Sequence, residues 1–92
     1  MRTKLSVACD AAADELSERG VPERVWSCGR VADDRIYLTF DEDVWEVGYA
    51  ERGDTTVYLR TKESNQALDR FVREAERAWS AVNRHVTFGD AD

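Results

Sequence analysis

The hydrophobic repeat of this chain changes twice, and the change limits the folds that the chain can adopt. Between Ile36 and Thr61, apolar and polar side chains alternate with a period of two, as they do in half-buried strands. On both sides of this region, apolar residues recur every three or four positions, as on one face of a helix. The pattern therefore predicts a helix, several strands and a second helix.

The first helical stripe predicts an N-terminal helix that ends at Gly20. Glycine readily takes the left-handed conformation that closes a helix, and Pro22 cannot continue the helix beyond that point. The apolar positions of this stripe are Leu5, Ala8, Cys9, Ala12 and Leu16.

Two short breaks divide the alternating region into three strands. The breaks at Asp41–Asp43 and Glu51–Asp54 have the length of hairpin loops, and Gly53 supplies the positive φ that such loops often require. We therefore predict an antiparallel meander. The segment Arg24–Val31 would add a fourth strand in front of it, with Trp26 and Cys28 on one face.

The second helical stripe predicts a long C-terminal helix, capped at its start by Ser64 or Thr61. Beyond it, residues 86–88 would add a short edge strand. Both helical stripes need an apolar surface and one face of the meander offers it, so we expect an α+β domain with both helices on that face. The apolar positions of the second stripe are Leu68, Phe71, Val72, Ala75, Trp79 and Val82.

The length of 92 residues predicts one domain spanning residues 1–92, with less order at residues 1–3 and 89–92. Hydrophobic residues make up 42% of the chain, which is enough for a folded core. The sequence has no apolar run of signal-peptide or transmembrane length. We therefore expect a cytoplasmic protein that does not act at a membrane.

The two cysteines lie far apart in sequence, without the spacing of a zinc site or a redox pair. In a reducing compartment, Cys9 and Cys28 would be small buried thiols. A disulfide between them is the alternative.

The net charge of −6 argues against nucleic acid or an anionic membrane as the direct ligand, because both attract positive charge. A basic protein is the partner that this charge favours. The acidity is also concentrated: from Asp33 to Glu46 six acidic residues face only Arg35, a net charge of −5. The acidic residues of this stretch are Asp33, Asp34, Asp41, Glu42, Asp43 and Glu46.

Strand alternation would place two tyrosines on the outer face of the meander, away from the helices. Tyrosine is enriched at protein interfaces, since it combines a large rigid area with a polar tip. This outer face would comprise Tyr37, Thr39, Glu46, Thr56, Tyr58 and Arg60. The predicted partner-binding residues are Asp33, Asp34, Tyr37, Asp41, Glu42, Asp43, Glu46 and Tyr58.

No pattern in the sequence indicates catalytic or metal chemistry. The single histidine, His85, has no partner that would make it a catalytic base. The run Asp41–Asp43 lacks the remainder of a calcium-binding loop, and the glycines form no phosphate-binding loop. We therefore expect a protein that is not an enzyme and that has no catalytic residues, metal site or cofactor.

A resemblance to a known family covers about residues 44–80. In bacterial polymorphic-toxin immunity proteins, a Trp-Glu-Val strand runs through a Glu-Arg-Gly turn into another strand and a helix. The helix here would open at Ser64–Val72. The resemblance implies a small acidic antitoxin that occludes a toxin or effector domain. It is carried by the run Val44-Trp45-Glu46-Val47-Gly48-Tyr49-Ala50-Glu51-Arg52-Gly53-Asp54.

Two other functions fit the same sequence. One is a phage or mobile-element inhibitor, such as an anti-CRISPR protein, whose carboxylates mimic nucleic acid on a nuclease complex. The other is a structural subunit that forms a homodimer or larger assembly through an edge of its sheet.

Overall fold

The computed structural model describes the backbone of residues 3–91 and the side chains of residues 3–82. The predicted α+β architecture is confirmed: an N-terminal helix, a four-stranded and mostly antiparallel sheet, and a C-terminal helix packed on the sheet. In chain order the elements are α1 (Lys4–Glu18), a 3₁₀ turn (Glu23–Val25), β1 (Trp26–Cys28), β2 (Arg35–Asp41), β3 (Val44–Glu51), β4 (Asp54–Thr61) and α2 (Ser64–Ala91).

Both ends of α1 are closed by local sequence. At the start, the Thr3 hydroxyl accepts a hydrogen bond from the Ser6 amide at 3.0 Å, which satisfies one of the free N–H groups of the first turn. At the end, Gly20 adopts a left-handed φ of 74°, and the Val21 amide then donates to the Leu16 carbonyl. The predicted end of the helix is confirmed.

The two predicted hairpins are confirmed as tight, two-residue turns. Glu42 and Asp43 connect β2 to β3 with φ values of 51° and 65°, and Arg52 and Gly53 connect β3 to β4 with values of 51° and 85°. Positive φ at both central residues is the signature of the type I′ turn, whose twist matches that of the flanking strands. Strand order in the sheet is β1-β2-β3-β4.

The first strand differs from an antiparallel meander, because β1 pairs with β2 in parallel. Trp26 lies opposite Ile36, and the pairing covers only three residues. Residues 29–34 must therefore lead back to the start of β2. The Ser27 hydroxyl donates to the Arg30 carbonyl at 2.8 Å, which places Arg30 on the side of the sheet that carries Ser27. We call that surface, opposite the helices, the far face.

Both helices lie on the other face and enclose the core. Arg19 at the end of α1 pairs with Glu76 of α2 at 3.0 Å, so the two helices lie side by side. Trp26 and Phe71 meet edge to face, with ring centroids 6.1 Å apart. The buried core residues are Ala8, Ala12, Leu16, Val21, Ile36, Leu38, Trp45, Val47, Ala67, Phe71, Val72 and Ala75.

A disulfide joins Cys9 of α1 to Cys28 of β1, so the prediction of two free thiols is wrong and the alternative holds. Their Cα atoms lie 5.7 Å apart, a separation that a disulfide spans without moving the backbone. The sequence could not supply this distance, since it depends on how α1 docks beside β1. The bond fixes the short edge strand to the first helix.

The C-terminal helix is longer than the sequence pattern predicts. No proline or glycine interrupts residues 64–88, so the helical hydrogen bonding continues through them to Ala91. The edge strand predicted at residues 86–88 is therefore wrong, and His85 lies within the helix. In the described part of the chain, neither helix has the length and apolar character needed to span a membrane.

Candidate partner-binding site

The structure divides the acidic stretch between the two ends of β2. Asp33 and Asp34 precede the strand, whereas Asp41 ends it. At about 3.3 Å per residue, the two groups are roughly 20 Å apart. The acidic stretch therefore forms two separate groups, because an extended strand separates residues that are close in sequence.

Three carboxylates form one projecting group, which we call the acidic tip: Asp41, Glu42 and Asp43. All three side chains are exposed, and none forms an ion pair with any residue that the structure describes. Glu42 and Asp43 occupy the left-handed conformations of the type I′ turn. Glycine and asparagine adopt these conformations at lower cost than glutamate does.

Tyr37 lies on the far face as predicted, but it is not available to a partner. Its side chain is completely buried, with 0% exposure. The ring lies across Gly48, where a Cβ atom would come within 2.6 Å of the Tyr37 hydroxyl. The prediction of an exposed Tyr37 is wrong.

The Tyr37 hydroxyl instead holds Glu46 in place. It donates to one carboxylate oxygen of Glu46 at 2.6 Å, and Arg60 Nε donates to the other at 2.7 Å. The bond from Tyr37, followed by Arg60, lowers the pKa of Glu46 despite its partial burial. Burial raises the pKa of Tyr37 to about 12, and the bond to Glu46 adds to this effect. Glu46 is therefore an ionised, fixed carboxylate.

Tyr58 turns toward the helices, so its predicted place on the outer face is also wrong. A β-bulge causes this change: Leu59 pairs with Val47 and Val57 pairs with Gly48, which leaves Tyr58 as the extra residue of β4. Beyond the bulge the alternation is inverted, and Val57 is exposed instead. The Tyr58 ring packs partly against the core, with the Arg70 guanidinium 5.7 Å from its centroid.

The structure reveals a second surface that the sequence reasoning missed, a groove between the sheet and α2. We call it the aromatic groove; its volume is about 460 Å³. Tyr49 of β3 and Trp79 of the second helical stripe are only half-buried here. Their polar ring atoms were the available signal, since such residues often end an apolar stripe at the surface. The groove is lined by Arg24, Val25, Asp34, Ile36, Tyr49, Tyr58, Ala78, Trp79 and Val82.

The eight predicted partner-binding residues thus fall into separate places. The acidic tip and Glu46 share one end of the sheet, and Asp41 and Glu46 both lie on the far face by register. Asp34 and Tyr58 line the aromatic groove, and Asp33 directly precedes Asp34 in the chain. Tyr37 is buried. Within residues 3–82 no three metal-ligating side chains converge.

No protein-family model, curated protein sequence or solved structure matches this chain. The resemblance to immunity proteins therefore stays a hypothesis.

Proposed function

We propose that this domain is a small binding protein that inhibits a basic protein partner, in the manner of an immunity protein or antitoxin acting on a toxin or effector domain. The observation that carries the proposal is the acidic tip. It presents three exposed carboxylates that form no ion pair with any described residue, on a turn whose backbone favours other residues.

The acidic tip reduces the stability of the isolated domain in two ways. A non-glycine residue in the left-handed region costs about 1 kcal/mol or more, and two such residues, Glu42 and Asp43, follow one another here. Adjacent carboxylates also repel each other. A basic partner would relieve this repulsion by pairing with the charges, and the field of the tip would accelerate the encounter.

Glu46 extends the proposed contact surface from the tip onto the far face. Asp41 pairs with Val44, and two positions further along the ladder Thr39 pairs with Glu46. Because Tyr37 and Arg60 already orient the Glu46 carboxylate, little side-chain entropy is lost when a partner binds it. The tip supplies charge for steering, and Glu46 supplies a fixed point for docking.

The test immobilises the wild-type chain or a variant as bait and compares the proteins that each captures from a lysate of the native host at low ionic strength. The variant Asp41→Lys with Glu42→Lys reverses two tip charges and leaves Asp43 in its left-handed conformation. We expect the wild-type chain to capture a basic protein, and the variant to retain about tenfold less of it.

The matched control is Glu18→Lys with Glu63→Lys, which changes the net charge equally. Both residues are exposed, and neither forms an ion pair with any described residue. Equal capture by the control and the wild-type chain is expected. If both variants lose capture equally, only net charge matters and the proposed site is wrong; capture of acidic proteins alone would refute the proposed partner.

A further inference from the structure

The aromatic groove contains three half-buried aromatic side chains with different surroundings. Two of them already stack with arginines of this chain: the Arg24 guanidinium lies 5.0 Å from the Trp79 ring, and that of Arg70 lies 5.7 Å from the Tyr58 ring. No described arginine or lysine stacks on the third ring, Tyr49. The rings of this groove therefore suit guanidinium groups, and one ring has none.

Asp34 lines the groove with Tyr49, and Glu51 lies two residues after Tyr49 on the same face of β3. The Asp34 amide donates to the Ala50 carbonyl at 2.7 Å, which holds Asp34 against the end of β3. Burial raises the pKa of Tyr49, and the charges of Glu51 and Asp34 add to it, which agrees with their proximity. Neither carboxylate forms an ion pair within the described part of the chain. Their combined charge attracts a cation and repels an anion.

We infer that Tyr49, Asp34 and Glu51 form a receptor for an arginine side chain that a basic protein partner inserts into the aromatic groove. The guanidinium stacks on the Tyr49 ring and pairs with the two carboxylates, while the aliphatic stem lies along the apolar wall at Ala78 and Val82. Arginine fits better than lysine, because its planar, weakly hydrated head stacks on aromatic rings. The assignment of this arginine to a basic protein partner rests on the proposed function.

The receptor and the acidic tip are compatible with a single partner. They lie at opposite ends of β2, roughly 20 Å apart, and on opposite sides of the sheet, so a partner that uses both must reach around the sheet. The tip would steer the partner, and the groove would hold one anchor residue, as buried arginines often do in interfaces.

The experiment titrates the isotope-labelled domain, disulfide intact, with N-acetyl-arginine amide at low ionic strength and follows amide and aromatic NMR shifts. The reference probe is N-acetyl-citrulline amide, which has the same shape without the charge. We expect the arginine probe to shift Tyr49, Asp34 and Glu51 first, and to bind about threefold or more tightly than the citrulline probe.

Two variants locate the interaction. Asp34→Asn with Glu51→Gln should weaken binding of the arginine probe about threefold or more, and asparagine tolerates the left-handed φ of 62° at position 34. Glu18→Gln with Glu63→Gln, which removes the same charge from exposed positions outside the groove, should leave the binding unchanged.

Three results would overturn the inference: equal binding of both probes, first shifts at the acidic tip, or undiminished binding by the Asp34 and Glu51 variant. Because the titration uses the domain alone, its outcome does not depend on whether the domain inhibits a partner. Loss of capture by the tip variant together with a failed titration would leave the proposed function intact and remove only the groove.

Discussion

The double change Glu42→Asn with Asp43→Gly should stabilise the isolated domain, although it removes two of the charges proposed to bind a partner. Both residues have a positive φ, at 51° and 65°. The left-handed conformation costs a side chain such as glutamate about 1 kcal/mol or more, and aspartate somewhat less. Glycine at position 43 removes the cost of the left-handed conformation there, but it loses more chain entropy on folding, which cancels part of the gain. The net gain is about 1 kcal/mol, or about 4–8 °C in Tm for a domain of this size.

Thermal and urea unfolding monitored by circular dichroism measure the change, with the disulfide intact. Glu42→Gln is the first control, because it removes a charge without improving the turn. Arg52→Asn is the second control. It changes the first turn residue of the other hairpin, whose second turn residue, Gly53, already adopts a positive φ at low cost. It should give about half the gain.

The reasoning would be refuted if the double variant were no more stable than the wild type. If Glu42→Gln alone gave the full gain, charge repulsion rather than backbone conformation would be the cause. A variant that is more stable but no longer captures the partner would show that the residues of the acidic tip lower the stability of the domain and are needed for binding.

Three further predictions concern the far face and the disulfide. Gly48→Ala should destabilise the domain by about 1–3 kcal/mol in urea unfolding, because the added methyl meets a backbone carbonyl at 2.5 Å and the Tyr37 hydroxyl at 2.6 Å; an unchanged midpoint would contradict this packing. The variant Cys9→Ala with Cys28→Ala should lower the free energy of unfolding by about 3 kcal/mol, and reductant should then affect the wild type alone. Burial raises the pKa of Tyr37 to about 12, so stability should fall as pH rises above the ordinary tyrosine value of about 10. The lowered pKa of Glu46 makes stability fall as pH drops through that pKa, below the ordinary glutamate range. Tyr37→Phe should weaken both pH dependences in unfolding measured across pH, and identical profiles would refute the role of the bond.

The disulfide bears on where this chain is expected to work. Disulfides persist mainly in oxidising compartments, whereas thiols are kept reduced in most cytosols. The Cys9–Cys28 bond therefore does not favour the predicted cytoplasmic location, which stays a prediction. Stability measured with and without reductant indicates how far the fold depends on the compartment.

Local patterns in the sequence were sufficient to predict most of the elements. Apolar spacing gave α1 and the first five turns of α2, Gly20 marked the end of α1, and both hairpins followed from breaks in the alternation. These predictions succeed because they depend on contacts between near neighbours in the chain. The prediction failed at residues 86–88, where β-branched residues favour a strand weakly and the preceding helix continues instead.

The sequence by itself determined the α+β class, the order of the elements and the excess of negative charge. Only the tertiary structure decided which side chains can meet a partner. A single extra residue in β4 turned Tyr58 inward, Tyr37 became buried where its ring lies across Gly48, and the length of β2 divided the acidic stretch. Each outcome depends on strand register or on packing between segments distant in sequence, so no local pattern of residues could reveal it.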